Sequence, residues 1–280
     1  MSEDLIVVSV SKLKIAILMA CHSRVEITRR CLQSLNKAQL TTQDLEVSLF
    51  VVDDGSSDST SKELLNWHFT KTLIDGTGNW YWAKSMSIAE SRVPDDYDGY
   101  LWLNDDVDLY EDSLKILYRA ILEDENRILI GQLVSPLDGT ITYGGIRQVG
   151  WRRNFLKVID TPVDTSLVKT FNGNFVYIPM RISKKLGKID GKFSHGFADY
   201  DYGLRASKMA IPLFVLREIV GECSPNNSKE KYTETLHQLL FEKKGTPLRS
   251  QIRFYFRHGG PEWPIYVIYP FYKYFRRKFW

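Results

Sequence analysis

The sequence predicts an α/β fold, a mostly parallel sheet flanked by helices, followed by a basic aromatic C-terminal extension. Three observations predict it. Short apolar runs alternate with amphipathic stretches from Lys14 to Val134, and such alternation marks a parallel sheet covered on both faces. Polar, turn-forming residues gather where the apolar runs end. The last 35 residues differ in charge and aromatic content from everything before them.

Taken in order, KIAILMAC (14–21) is an apolar run bounded by polar residues, the pattern of a buried strand. Ile27, Cys31, Leu35 and Ala38 recur at helical spacing and predict a helix over 25–38. VSLFVV (47–52) is a second strand, cut off by DDGSSDS, a loop rich in helix-capping side chains. A helix through Leu64, Leu65 and Phe69 follows, then a short strand at Thr72–Ile74. A helix over 83–92, a strand at 100–103 (YLWL), a helix over 112–123 and a strand at 128–134 (ILIGQLV) complete the regular part. Residues 135–170, rich in Gly, Thr and Asp, predict hairpins and loops. A strand near 174–179 and a helix from about Ile182 come next, then HGFADYDYGLR (195–205), a loop running into a helix. The charge sign changes near Lys243–Pro247, which divides a domain of residues 1–245 from an extension of residues 246–280.

The 280 residues are 44% apolar and 25% charged, enough for one large α/β domain or two small ones. No run approaches the ~18 apolar residues that span a bilayer. Glu3 and Asp4 stand where a secretory leader carries Lys or Arg. Cys21, Cys31 and Cys223 make neither a disulfide framework nor a CxxC metal spacing. Together these features predict a reducing cytoplasm. The net charge of +3 conceals an asymmetry: residues 246–280 carry +6 and the rest −3.

Two acidic clusters follow strands: Asp53–Asp54 after VSLFVV, and Asn104–Asp105–Asp106 with Asp108 after YLWL. Ligands of open α/β sheets bind outside the carboxyl ends of the strands. Carboxylates crowded there repel one another, so a divalent cation, Mg²⁺ or Mn²⁺ shared with substrate phosphates, is a natural partner. Either cluster alone reads equally well as a capped turn; the pair favours a metal or nucleotide site. Asp199 and Asp201, crowded by His195, Tyr200, Tyr202 and Arg205, offer an acidic helix start or a general base. Dinucleotide, P-loop and zinc-protease motifs are absent, as is the serine-hydrolase GxSxG.

Six segments then occur together in order: KIAILMACHSR, VVDDGSSDST, GNWYWAKSMSIA, YLWLNDDVDLYEDSL, FNGNFVYIPMRISKKLGKID and HGFADYDYGLRA. Over residues 12–225 the chain resembles the inverting family 2 glycosyltransferases of the GT-A fold, in particular those that build bacterial capsule or O-antigen polysaccharides. The resemblance implies a nucleotide site at Ala20, His22, Asp53, Asp54 and Asp105. It implies metal ligation by Asp106, with Asp108 as a weaker candidate, and Asp199 as catalytic base. Trp80, Lys84, Asn172, Gly173 and Asp201 fall where donor or acceptor sugar is met, with Lys84 able to reach a phosphate, and Gly173 permits close approach of backbone to ligand. Two departures stand out. Ala198 precedes Asp199 where many relatives have a carboxylate, which leaves the choice between Asp199 and Asp201 open, and the acidic loop begins with Asn104.

The implied partners are a UDP- or dTDP-linked sugar donor with a divalent cation, and a saccharide or lipid-linked acceptor, with room for a homodimer. The tail, WPIYVIYPFYKYFRRKFW, adds an inner-membrane surface: Tyr and Trp favour the bilayer interface and Lys/Arg an anionic leaflet. Pro264 and Pro270 argue against one long helix there. TPLRSQIRFYFRHGG (246–260) predicts an amphipathic helix with Leu248, Ile252 and Tyr255 on one side. A basic aromatic tail also suits nucleic acid, but no RNA-binding motif accompanies it, so nucleic acid is not expected. The rivals are a sugar nucleotidyltransferase, whose glycine-rich loop ACHSRVEITRR lacks, and a catalytically degenerate nucleotide-sugar-binding membrane scaffold.

Overall fold

Strands β1 (Leu13–Cys21), β2 (Leu45–Asp53), β3 (Lys71–Asp75) and β4 (Gly99–Leu103) run parallel in the order β3-β2-β1-β4. The computed structural model describes residues 12–67, 71–148, 156–158, 168–194, 196–225, 240 and 247–279. β1, β2 and β4 are largely apolar on both sides because helices cover both faces, whereas β3, at the sheet edge, has no fully buried residue. Ile15, Ile17 and Met19 pack with α1 (Val25–Leu40), α2 (Thr60–Leu65) and α4 (Ser113–Glu123). Ala16 and Leu18 pack on the other face with Ala83, Met86 and Ala89 of α3 (Tyr81–Ser91).

Beyond β4 the sheet continues through β11 (Phe175–Pro179), β6 (Ile128–Val134), β12 (Leu213–Glu222) and the two-residue β5 (Asp108–Leu109). β11 is antiparallel to both β4 and β6, whereas β6 and β12 are parallel. The sheet is therefore mixed but mostly parallel. β7 (Ile141–Tyr143) folds back on β6, and β8 (Gly145–Gln148), β9 (Leu156–Val158) and β10 (Val168–Phe171) form a small antiparallel sheet. Helices α5 (Met180–Leu186) and α6 (Ala198–Lys208) lie on the α3 face.

Several details differ from expectation. β12 has no counterpart in the sequence reading. Arg217 and Glu218 interrupt its apolar run, and both are exposed where the pairing with β6 slips between Val215 and Ile219. The tail is not broken at its prolines: after α7 (Leu248–His258), α8 runs unbroken from Trp263 to Phe279. Pro264 sits in the first turn, where an N–H has no helical acceptor, and Pro270 deletes a single ladder bond. The inward face of α7 is Ser250, Gln251, Phe254 and His258, whereas Ile252 is exposed. The reason is polar docking: Ser250 meets Ser194, and His258 meets Asp201. Glu3, Asp4, Phe69, His195 and the boundary placed near Lys243 lie outside the described residues.

Candidate active site

Parallel register brings Cys21, Asp53 and Asp75 side by side at one sheet edge. β4 ends at the same edge. Because β11 runs the other way, with Phe175 opposite Leu103, it is the segment before it, Asn172–Asn174, that reaches this edge. The Asn104 N–H donates to the Asn174 carbonyl at 3.1 Å and joins the two loops. The start of α6 closes the group, since the Gly173 N–H donates to Asp199 Oδ2 at 3.0 Å. The result is an open cleft of about 340 Å³ lined by Arg24, Trp82, Asn104, Asp106, Tyr143, Asn172–Asn174, Gly196, Phe197, Asp199 and Tyr200.

Asp199 is held by backbone. Its second oxygen, Oδ1, accepts the Tyr200 N–H at 2.9 Å. Burial pushes its pKa up to about 6, against the pull of those two N–H donors. A carboxylate at that value is ionised at neutral pH yet basic enough to take a proton. Gly173 is required for this geometry: a Cβ there would stand 2.7 Å from the Trp82 ring and 3.3 Å from the Asp199 Cβ. Trp82 is fixed in turn by its indole N–H, which donates to Asn104 Oδ1 at 2.8 Å.

The three acids of the second cluster go three ways. Asp105 is fully buried and accepts from Thr28 Oγ1 at 3.0 Å and from two guanidinium nitrogens of Arg24, Nε at 2.9 Å and Nη2. Burial lifts its pKa to about 6, with Arg24 opposing. Asp106 opens into the cleft, with Arg24 Nη1 at 3.5 Å and the Cys223 thiol at 3.7 Å. Asp108 lies outside the cleft, on the edge strand β5, and pairs with Arg30 at 3.0 Å. Among the described residues no three His, Cys, Asp or Glu side chains converge as a metal cage. The donor set fits a hard divalent cation held by one carboxylate, Asp106, and completed by substrate phosphate oxygens and water.

The first acidic cluster is engaged by the protein itself. Asp53 accepts the Ser56 N–H at 3.1 Å and the hydroxyls of Ser56 and Ser61. Asp54 accepts three backbone N–H groups, from Gly78 (2.8 Å), Trp80 (2.9 Å) and Tyr81 (2.8 Å), and so pins the start of α3. His22 Nδ1–H donates to the Asp54 carbonyl at 2.7 Å. Ala20 pairs with Val52 one residue before that edge. Lys84 is exposed, its ammonium 5.2 Å from the Trp80 ring centre. Asp201 does not line the cleft. It is fully buried on the other side of α6, against Arg205 (2.9 Å), Arg257 (2.6 Å) and His258 (2.8 Å). Burial raises its pKa, but the bond from His258 and the two guanidinium groups outweigh it and hold the carboxyl below its ordinary value.

Sequence reasoning missed Arg24, Tyr143, Phe197 and Tyr200 as cleft residues. Arg24 carried a signal, as the first cation after the β1 strand end. Phe197 carried none, because its role comes from a left-handed backbone, φ 75°. Ser23 (φ 46°) and Tyr81 (φ 57°) share that conformation. Three strained non-glycine residues thus start the loops and helices around one edge, as strain held at functional sites does.

The model of glycosyl transferase family 2 matches residues 16–187. The chain belongs to that family. Solved structures share the GT-A fold at low identity. TarS of S. aureus (residues 1–349) aligns with TM-score 0.58 and 15% identity, over 76% of this chain and 60% of that one. A mannosyltransferase from Pyrobaculum calidifontis, solved with GDP-Man and Mn²⁺, gives TM-score 0.58 and 17% identity over 91% and 68%. GalNAc-T7, solved with UDP, GalNAc and Mn²⁺, gives 0.56 and 16% over 74% and 42%. This family 2 chain thus spans about three fifths of the TarS fragment. No match is found among curated protein sequences.

Proposed function

We propose that this family 2 protein is an inverting glycosyltransferase. It moves a sugar from a UDP- or dTDP-linked donor to a hydroxyl of a lipid-linked saccharide during synthesis of a capsule or O-antigen type polysaccharide. The observation that carries the reading is that Asp199, lifted toward neutral pKa, and Asp106 line one cleft at the carboxyl edge of the sheet.

The acceptor oxygen attacks the anomeric carbon on the face opposite the diphosphate. Asp199 takes the hydroxyl proton, the carbon–oxygen bond to the diphosphate breaks, and configuration inverts. A positioned base of this kind contributes about 10²–10⁴ in rate. Asp106 is the residue that would hold a divalent cation, Mn²⁺ or Mg²⁺, and such a cation would supply Lewis-acid stabilisation of the leaving group's charge, typically worth several kcal/mol. Arg24 adds a fixed positive charge on the same wall. Trp82, Asn172 and Gly173 shape the sugar side of the cleft. Nucleotide sugars in solved neighbours, UDP-GlcNAc with TarS and GDP-Man with the mannosyltransferase, support the donor class. The setting is the cytoplasm at the inner face of the cell membrane, where a lipid-linked acceptor is presented; no helix among the described residues is long and apolar enough to cross that membrane.

Calorimetry with a panel of nucleoside diphosphates, with Mn²⁺ and with chelator, tests the reading. One diphosphate should bind in a cation-dependent manner, and Asp106→Ala should abolish that dependence. Absence of binding to every diphosphate would refute it and favour a scaffold without turnover.

A further inference from the structure

Helix α8 is apolar on two opposite faces. Its inner face buries Tyr266 and Val267, with the Tyr266 ring 5.5 Å from Tyr255 of α7. On the outer face Ile265, Ile268, Tyr269, Tyr272 and Phe275 are 46–62% exposed. At 3.6 residues per turn these five fall within about a third of the circumference, centred opposite the buried pair. An amphipathic helix turns its polar side to water; this one turns a second apolar stripe. A contiguous patch of that kind on a soluble surface marks an interaction site.

The chemistry beside the stripe indicates what covers it. Lys273 is exposed beside the stripe and Arg276 at its C-terminal end, and no acidic residue occurs between Trp263 and Trp280. The Lys273 ammonium stands 4.8 Å from the Tyr269 ring centre, and Tyr269 stacks on Tyr272 at 6.4 Å. Aliphatic side chains between Tyr rings and cations are the composition of a helix lying in a bilayer interface. A second copy of the chain suits the stripe less well, because it would bring the same cations and no acidic residue of this helix to pair with them.

We propose that the outer stripe of α8 seats in the plane of an anionic lipid bilayer. The seated helix also braces the cleft rim: Tyr266, on the inner face of α8, touches Tyr255, and Tyr255 lies 6.0 Å from Phe197 of that rim. Presentation of a lipid-linked acceptor to the cleft rests on the transferase reading; the seating itself does not.

The test is cosedimentation of the full chain with vesicles of phosphatidylcholine alone or mixed with phosphatidylglycerol. The protein should bind the anionic vesicles, less so as salt rises, and at least about tenfold less in Ile268→Glu/Tyr272→Glu or Lys273→Glu/Arg276→Glu. Nucleoside diphosphate binding should be the same in all variants, which shows that they are folded. Absence of binding to anionic vesicles would overturn the proposal. So would unchanged binding in Ile268→Glu/Tyr272→Glu, or a solution dimer that this variant splits while the wild type ignores vesicles. Vesicle binding by a protein that binds no diphosphate would refute the transferase reading and leave the seating in place.

Discussion

Phe197 stacks face to face on Phe254, with ring centroids 4.4 Å apart and planes at 15°. Phe197 is the left-handed residue that starts α6, two positions before Asp199, and Phe254 belongs to α7. A C-terminal helix therefore holds the strained turn that aims the candidate base. Phe254→Ala should cost about 3 kcal/mol or more of stability, as buried aromatic deletions do. At a temperature where the variant is folded, kcat should fall at least about tenfold with diphosphate affinity unchanged, as misplacement of a reacting group does. Equal loss of both quantities would show that α7 supports the whole fold and not this turn.

Asp199→Asn keeps an oxygen for one backbone donor but removes the base. Sugar transfer should fall by about 10²–10⁴, while the calorimetric affinity for the diphosphate stays within about twofold, since Asp199 acts on the acceptor. Near-normal turnover in this variant would refute the assignment. Asp201→Asn should behave differently, because Asp201 faces Arg257 and His258 and not the cleft: its main effect is on the melting temperature.

The pH dependence follows from the lifted carboxyl. Asp199 works only when ionised, so log(kcat/KM) should decline with unit slope as pH falls below about 6. The stability effect has the opposite sign. A carboxyl whose folded pKa exceeds its ordinary 3.8 favours the fold when protonated, and that contribution is lost as pH rises through about 6. Asp199→Asn should therefore melt higher than wild type at pH 8 and show no such gain at pH 4. Thermal melts at the two pH values measure it.

Arg24 and Asp105 act as one unit. Arg24→Met leaves a fully buried carboxylate without its partner, at a cost of about 3 kcal/mol at pH 8; we take the low end because the guanidinium is 40% exposed and screened. The defect should shrink as pH falls toward about 6, the value Asp105 has with Arg24 in place, because without the guanidinium the carboxyl takes up its proton at a higher pH. Adding Asp105→Asn to Arg24→Met should recover most of the loss in urea melts. Simple additivity of the two single effects would contradict the pairing.

Some of this was readable from residue order alone. The runs at 14–21, 47–52 and 100–103 are apolar but for Lys14 and Ser48, so burial on both faces leaves a central parallel strand as their stable arrangement, and the acids that follow must then share an edge. That reasoning locates Asp53, Asp54, Asp105 and Asp106 at one place; Asn172 and Gly173 join them only through the family resemblance. It could not assign them partners. Asp53 and Asp54 are consumed by serine hydroxyls and by the amides that start α3, and Asp105 by Arg24, because only packing decides which donor reaches a buried carboxylate first. β12 escaped notice because Arg217 and Glu218 sit at a register slip, a feature of pairing and not of composition.

The sequence by itself determined the α/β class, the strand ends where polar residues meet, and the basic aromatic character of the tail, since each depends on side chains close in the chain. Tertiary structure alone decided that Asp199 faces the cleft while Asp201, two residues on along the same helix, faces Arg257 and His258. It also decided that Phe254 supports Phe197 and that α8 keeps one apolar face for the fold and one outside it. The physical reason is the same in each case: a helix presents all its faces, and only the elements packed around it determine which one is buried.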